Sequence, residues 1–169
     1  MIYATGISNG GLMTNRVGCE LANKIAAIAT IAPAALMLEC NPSKHPSIMN
    51  IHGTADPANP PDGSEPRGIF NPESKSDFAK PYKRMTPYQI IDSWKEINEC
   101  SNNKIKGYEK GNAKCVIYDK CSGDSEVELC IVEEMGHTYP GGSQYLPSSI
   151  VGPVSYDISF DQIWNFFEK

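Results

Sequence analysis

A serine flanked by glycines near the start of the chain is the feature that most constrains its fold. Residues 3–13 read YATGISNGGLM, so a β-branched and aromatic run meets Gly6-Ile7-Ser8-Asn9-Gly10 before a helical pattern begins. A serine hydroxyl projects clear of the main chain only on a sharp strand-to-helix turn, and glycines two residues before and after the serine remove Cβ atoms from that turn. Gly10 and Gly11 are also expected to let the helix pack close to the strand. The pattern predicts a nucleophilic Ser8, with an ordinary glycine-rich turn as the alternative.

Hydrophobic periodicity predicts an α/β fold in one domain over residues 1–169, with a mostly parallel sheet and helices on both faces. Apolar runs without alternation are typical of strands covered on both faces. Such runs, and other strand patterns, lie at Ala26–Pro33, Ser47–His52, Lys104–Tyr108, Lys114–Tyr118 and Val127–Val132. Helices are predicted at Gly10–Asn23 and after capping boxes at Thr86–Gln89 and Ser159–Gln162. The core is expected to include Phe160, Ile163, Trp164 and Phe167, and the side chains of Met13, Val17 and Leu21 share one face of the first helix.

Composition restricts the classes of protein that this chain can represent. The net charge of −5, without a basic patch, argues against a nucleic-acid partner. No apolar run has membrane-spanning length, so no membrane partner is expected. Six cysteines without a C-x-x-C pair favour disulfides over a zinc or redox site, and no metal or cofactor is expected. Six reduced thiols in a cytosolic protein are the alternative.

The positions of the cysteines along the predicted elements suggest how they pair. We expect bridges Cys19–Cys40, Cys100–Cys121 and Cys115–Cys130, which would tie a helix to a loop, a helix to the sheet, and two strands to each other.

Three reactive residue types follow three predicted strands. Ligands in open α/β sheets bind outside the carboxyl ends of the strands, where Ser8, Asp56 and His137 are expected. A serine hydroxyl needs an imidazole to remove its proton, and the imidazole needs a carboxylate to fix its tautomer. The order serine, aspartate, histidine is that of α/β-hydrolases. His52 is interpreted as structural, within its turn, and His45 has no identifiable partner.

Three segments together resemble a known group of enzymes. YATGISNGGLMTNRVGCELANKIAAIATIAP, IMNIHGTADP and EEMGHTYPGG are similar to secreted esterases of the polyhydroxybutyrate-depolymerase and feruloyl-esterase type, which are carbohydrate esterase family 1-like and have the α/β-hydrolase fold. The resemblance implies Ser8 as nucleophile, Asp56 as acid and His137 as base. It also implies an exported protein with disulfides and an ester substrate.

Other parts of the predicted site are less specific. Asn9, the residue after the nucleophile, is expected to donate one oxyanion-hole N–H. Tyr139 stands where related sequences commonly carry tryptophan and is expected to line the substrate site. The proline-rich segment 57–85 lacks periodicity and is expected to form a rim over the active site. Its aromatic residues Phe70, Phe78 and Tyr82 are candidates to stack on an aromatic acyl group.

The chain differs from these related proteins in one main respect. Related proteins have a long segment before the nucleophile strand, with further strands, a signal peptide and a second oxyanion donor. We therefore expect the chain to be the C-terminal part of a longer esterase that lacks the N-terminal strands. As written, it should hydrolyse esters weakly or not at all and should self-associate through the apolar edge Ile2–Thr5, and restoring the upstream segment should cure both.

Substrate choice stays open at this point. The leading expectation is hydrolysis of feruloyl esters of plant cell-wall polysaccharide, and the alternative within the class is a polyhydroxyalkanoate or another short-chain ester. A non-catalytic binding domain on a hydrolase scaffold is the rival from another class. The oligomeric state is not predicted.

Overall fold

A computed structural model of the chain describes residues 1–36, 39–74 and 84–169, and shows an α/β fold. Within these ranges the six strands are β1 Ile2–Ile7, β2 Ile25–Ile31, β3 Ser47–Gly53, β4 Lys104–Lys110, β5 Ala113–Tyr118 and β6 Val127–Val132. The four α-helices of the described residues are α1 Asn9–Glu20, α2 Pro87–Ile97, α3 Ser148–Val151 and α4 Phe160–Phe167. Short 3-10 helices lie at Gly68–Phe70 and Ser122–Asp124.

One mixed sheet holds all six strands in the order β1-β2-β3-β6-β5-β4. Strands β1, β2, β3 and β6 are parallel, and β5 and then β4 pair antiparallel at the far side. The predicted, mostly parallel sheet is therefore confirmed. Because the four parallel strands share one direction, the segments that follow β1, β3 and β6 emerge at the same end of the sheet.

Helices cover both faces of the sheet, as the apolar strands predicted. On one face, Trp94 of α2 and Cys19 of α1 pack with Ile28 and Ile48. On the other face, Ile163, Phe166 and Phe167 of α4 pack with Ile31, Met49 and Ile51. Two predicted core residues of α4 are not buried, since Phe160 and Trp164 are 51% and 45% exposed. Trp164 instead lies with its ring edge-on to Tyr3 of β1.

The first helix packs through small and polar residues rather than through its large apolar ones. Its buried residues are Gly11, Thr14, Asn15, Gly18 and Cys19, whereas Met13 and Leu21 are exposed. Asn15 is tied into the core because its Oδ1 accepts a hydrogen bond from the indole N–H of Trp94 at 3.1 Å. Of the apolar face predicted at Met13, Val17 and Leu21, only Val17 packs against the core.

The predicted helix starts are confirmed at both later helices, with one difference. At α2 both reciprocal bonds of the capping box are present, between Thr86 and Gln89. At α4 the Ser159 hydroxyl accepts from the N–H of Asp161 at 3.3 Å, so the helix is capped but not by the predicted Ser159–Gln162 box.

All three predicted disulfides are present. Bridges join Cys19–Cys40, Cys100–Cys121 and Cys115–Cys130. The last pair lies at directly opposite positions of β5 and β6. The bridges close sequence separations of 21, 21 and 15 residues, which restricts the unfolded chain and so stabilises the fold. The alternative of six reduced thiols is wrong for this structure.

The structure also bears on His45 and on membrane-spanning segments. His45 does have a partner, because its Nδ1 lies 3.1 Å from the carbonyl oxygen of Ile97 at the end of α2. Within the described ranges, none of the helices is both long and apolar enough to cross a membrane.

Candidate active site

Ser8 lies on a strained turn between β1 and α1. Its φ of 57° and ψ of −119° belong to a left-handed region that a residue with a side chain rarely adopts. The turn is held by the N–H of Ser8, which donates to the carbonyl oxygen of Ile31 at 2.9 Å. Ser8 is half-buried at the carboxyl end of a parallel strand, immediately before a helix, which is the backbone setting of a nucleophile elbow.

The glycines of this turn have unequal roles. A Cβ on Gly6 would lie 2.6 Å from the carbonyl carbon and oxygen of Gly10, which no side chain could tolerate. Gly11 allows close packing of the helix, because a Cβ there would lie 3.1 Å from the Ile31 oxygen. At Gly10 a Cβ would meet nothing within 4 Å. Glycine is therefore required at Gly6, Gly11 permits a close approach of the helix to β2, and the expectation of crowding at Gly10 is wrong.

Asn9 is the first residue of α1 and is exposed. The N–H groups of the first helical turn have no partner within the helix, and the helix dipole adds partial positive charge there. The backbone N–H of Asn9 is thus in a suitable place to stabilise a negative charge beside Ser8. Its part in an oxyanion hole stays a prediction.

Asp56 is fully buried and its carboxylate is held by three hydrogen bonds. Oδ1 accepts from the backbone N–H groups of Ala58 and Asn59, each at 2.8 Å. Oδ2 lies 2.8 Å from Nδ1 of His137. The two N–H donors fix the plane of the carboxylate, so that Oδ2 is the atom that faces the imidazole.

His137 follows β6 on a loop that packs tightly against neighbouring backbone. The loop needs two glycines, because a Cβ on Gly53 would lie 2.0 Å from the Met135 oxygen and one on Gly136 would lie 2.2 Å from the Val151 oxygen. The backbone N–H of His137 donates to the carbonyl oxygen of Val151 at 2.5 Å. These contacts bring the imidazole, which is 3% exposed, onto the Asp56 carboxylate.

The structure brings two of the three predicted catalytic residues into direct contact. Asp56 and His137 form a buried pair, while no direct bond between the Ser8 hydroxyl and the imidazole occurs among the described residues. The loop that carries His137 does reach the strand that carries Ser8, since the Tyr139 hydroxyl lies 3.3 Å from Oγ1 of Thr5. Catalytic hydrogen bonds are often long without substrate and tighten in the complex.

The predicted substrate-binding residues differ in where they lie relative to His137. Phe70 is buried and its ring lies 5.8 Å, centroid to centroid, from the His137 imidazole. Tyr139 is half-buried and lies between the His137 loop and β1. Phe78 and Tyr82 lie outside the described residues.

Clefts beside the first part of the 57–85 segment do not include the predicted catalytic residues. One of about 380 Å³ is lined by Pro60, Asp62, Arg67 and Tyr88 among others, and a second of about 340 Å³ is lined by Gly63, Arg84 and Gln89 among others. Neither is lined by Ser8, Asp56 or His137. A substrate acyl group at Ser8 would therefore occupy a different part of the surface.

His52 is a buried structural residue, as predicted. Its Nε2 lies 2.7 Å from the carbonyl oxygen of Asn59, so this nitrogen carries the hydrogen. Burial lowers the pKa of His52, although the nearby Asp56 charge opposes that change. We therefore regard His52 as neutral near pH 7. Its 3.6 Å separation from Oδ2 of Asp56 is then not an ion pair.

Other residues of the site were not found by sequence reasoning. Tyr145 donates from its hydroxyl to the carbonyl oxygen of His137 at 2.8 Å. Burial, and then the Asp56 charge, raise the pKa of Tyr145, so its hydroxyl stays protonated. Asn59 and Arg84 form a second group of contacts behind Asp56. None of these residues belongs to a motif; the side-chain partners of Asn59 are 27 and 25 residues away, and Tyr145 lies 8 residues after His137.

One group of metal-ligand residue types occurs among the described residues. Cys115, Glu128 and Cys130 bring possible ligand atoms within 4.8 Å of one another. Both cysteines are joined in a disulfide, so neither offers the thiolate that a metal requires. Burial raises the pKa of Glu128, with Lys169 nearby as the main opposing charge.

Comparison with known proteins relates this chain to esterases. It is 32% identical to "Feruloyl esterase B" of Piromyces equi over 83% of the chain, which corresponds to 25% of that protein. It is 25% identical to "Putative esterase NocK" of Nocardia uniformis subsp. tsuyamanensis over 94% of the chain and 48% of that protein. The chain thus spans about a quarter to a half of the length of these relatives. No protein-family model matches the chain.

Proposed function

We propose that this chain is the catalytic part of a serine carboxylesterase with the α/β-hydrolase fold, in one domain over residues 1–169. The observation that carries the proposal is the buried Asp56–His137 pair, with a 2.8 Å contact between Oδ2 and Nδ1. The pair lies at the end of the sheet where a strained turn presents Ser8. The similarity to two proteins named as esterases supports the same reaction class.

The reaction follows from the roles that these groups can fill. Ser8 Oγ attacks the ester carbonyl carbon while His137 accepts the hydroxyl proton, and Asp56 stabilises the resulting imidazolium. The negative oxygen of the tetrahedral intermediate is stabilised by the backbone N–H of Asn9 and by the positive end of the α1 dipole. The C–O bond to the alcohol then breaks and His137 returns the proton to the alcohol. A water molecule, which gives its proton to His137, then attacks the carbonyl carbon of the acyl-enzyme. The bond to Ser8 Oγ breaks, His137 returns the proton to Ser8, and the acid is released.

Feruloyl-type esters of plant cell-wall polysaccharide are the substrates that we favour. Phe70 lies beside the imidazole, where an aromatic ring could contact an aromatic acyl group, and one relative is named a feruloyl esterase. Hydroxybutyrate polyesters are the second candidate. Three disulfides and the absence of free cysteines among the described residues support an exported protein.

Substrate comparison tests this choice. The chain should release ferulate from methyl ferulate faster than it depolymerises hydroxybutyrate oligomers. Phe70→Leu should lower kcat/KM for methyl ferulate by about tenfold or less but leave that for p-nitrophenyl acetate nearly unchanged, since an aromatic contact contributes about 0.5–1.5 kcal/mol. Ile69→Val, at the neighbouring position, is the matched control. Faster cleavage of the hydroxybutyrate oligomers would contradict the feruloyl assignment.

A further inference from the structure

Asn59 is a buried residue in which all four polar groups form hydrogen bonds. Its backbone N–H donates to Oδ1 of Asp56 at 2.8 Å, and its carbonyl oxygen accepts from Nε2 of His52 at 2.7 Å. Its side-chain Nδ2 donates to the carbonyl oxygen of Ala32 at 2.9 Å, and its Oδ1 accepts from Nη1 of Arg84 at 2.7 Å. The residue is only 8% exposed, and three of these bonds are buried, while the bond from Arg84 is partly buried.

Arg84 connects the far end of the 57–85 segment to its beginning. The same Nη1 that donates to Asn59 also donates to the carbonyl oxygen of Ala58 at 3.0 Å. The next residue, Met85, donates its backbone N–H to Ala34 at 2.9 Å. Both ends of the segment therefore rest on residues that directly follow β2.

The β2 side of this arrangement is itself fixed. Ala32 has a φ of 45°, an unusual conformation for a residue with a side chain, and its N–H donates to Ile51 of β3 at 2.9 Å. The carbonyl oxygen of Ala32, which accepts the bond from Asn59, is thus fixed relative to β3, the strand that precedes Asp56.

We propose that Asn59, held by Arg84, is a positioning residue for the catalytic carboxylate. This inference rests on the proposed esterase function and deepens it. The Asn59 side chain fixes the backbone at residues 58 and 59, and the two N–H groups of that backbone fix Oδ1 of Asp56. Because Oδ1 is fixed, Oδ2 is directed at Nδ1 of His137. Asn59 and Arg84 act through Asp56 and need not touch the substrate.

The expected consequence of loosening this group is a loss of turnover rather than of binding. A small misplacement of a reacting group can lower the rate by as much as about a hundredfold. Asn59→Ala should therefore lower kcat by about tenfold to a hundredfold, with KM changed by less than about threefold. Arg84→Met should show a smaller loss of kcat, and Arg84→Lys should recover most of it, because a lysine can still donate from one charged nitrogen.

The experiment combines kinetics with a direct view of the Asp56–His137 bond. Hydrolysis of p-nitrophenyl acetate gives kcat and KM for each variant of the full chain, and proton NMR detects the hydrogen-bonded imidazole N–H, assigned by its loss in His137→Gln. Asn71→Ala is the control, since Asn71 lies in the same segment and its side chain caps the N–H of Glu73 instead.

We expect the imidazole N–H resonance to shift or to exchange faster in Asn59→Ala and Arg84→Met, but not in Asn71→Ala. If Asn59→Ala does not fold, Arg84→Met decides the question, because it leaves Asn59 in place. Unchanged resonance and kcat in a folded variant would overturn the positioning role. If the unsubstituted chain hydrolyses no ester and a fluorophosphonate probe does not label Ser8, the proposed function fails, and the NMR comparison still decides whether Asn59 positions Asp56.

Discussion

Replacement of Asp56 by asparagine tests the candidate site through a feature specific to this structure. The backbone N–H groups of Ala58 and Asn59 both donate to Oδ1. In Asp56→Asn the amide oxygen must take that position, since an amide NH₂ cannot accept these bonds. The NH₂ group then faces Nδ1 of His137, where Oδ2 lies in the native protein at 2.8 Å.

The tautomer of the imidazole follows from that orientation. His137 would have to accept a hydrogen bond at Nδ1 and carry its hydrogen on Nε2, so Nε2 could no longer take the proton of Ser8. In serine proteases the equivalent substitution lowers kcat by about 10⁴. We expect a loss of about 10³–10⁴ here, which corresponds to about 4–5.5 kcal/mol in the activation free energy.

The assay is the initial rate of p-nitrophenyl acetate hydrolysis at saturating substrate, with thermal unfolding as the measure of the fold. Asp62→Asn is the matched control, because the Asp62 carboxylate accepts a similar backbone bond from Ser64 in the same segment but is exposed. That control should keep its kcat. A well-folded Asp56→Asn variant that loses less than about tenfold would refute the tautomer argument.

Three other predictions concern the turn, a disulfide and a buried histidine. Gly6→Ala should abolish activity, since its Cβ would lie 2.6 Å from the Gly10 backbone. Gly10→Ala should keep activity and stabilise α1 by up to about 1 kcal/mol, because a Cβ there meets nothing within 4 Å. Activity assays and thermal unfolding of both variants test this. Loss of the Cys100–Cys121 bridge in the double alanine variant should lower the free energy of unfolding in urea by about 3 kcal/mol. The pKa of His52 in the native protein is lowered from 6.5. Below about pH 6.5 the unfolded chain therefore takes up a proton that the native protein does not, and the free energy of unfolding decreases as the pH is lowered. Urea unfolding at about pH 7.5 and about pH 5.5 should show a smaller fall in His52→Gln than in the native chain, and equal falls would contradict this.

Much of the sheet and the order of its elements could be predicted from local patterns. The buried strands at β2 and β3 lack alternation because both faces are covered, and the sequence at Thr86–Gln89 contains all the groups of a capping box. The pairing of Asp56 with His137 was predictable for a related reason, since residues that follow parallel strands meet at one end of a sheet.

The misinterpretations have a common physical cause. The buried face of α1 was missed because close approach selects small residues, as at Gly18, where a Cβ would lie 2.7 Å from Ile28. The large apolar residues therefore mark a face of which only Val17 packs against the core. Asn59 was missed because its side-chain partners Ala32 and Arg84 are 27 and 25 residues away, and no local pattern records such contacts.

Covalent labelling of Ser8 tests the central claim most directly. A fluorophosphonate probe reacts with a serine that a neighbouring base activates, so peptide mass spectrometry should find the adduct on Ser8. His137→Ala should prevent labelling, while Ser143→Ala should not affect it. An adduct at Ser8 that depends on His137 is the result that our account predicts. No labelling of the folded chain, or an adduct on another serine, would contradict a Ser8–His137–Asp56 mechanism and favour a non-catalytic domain.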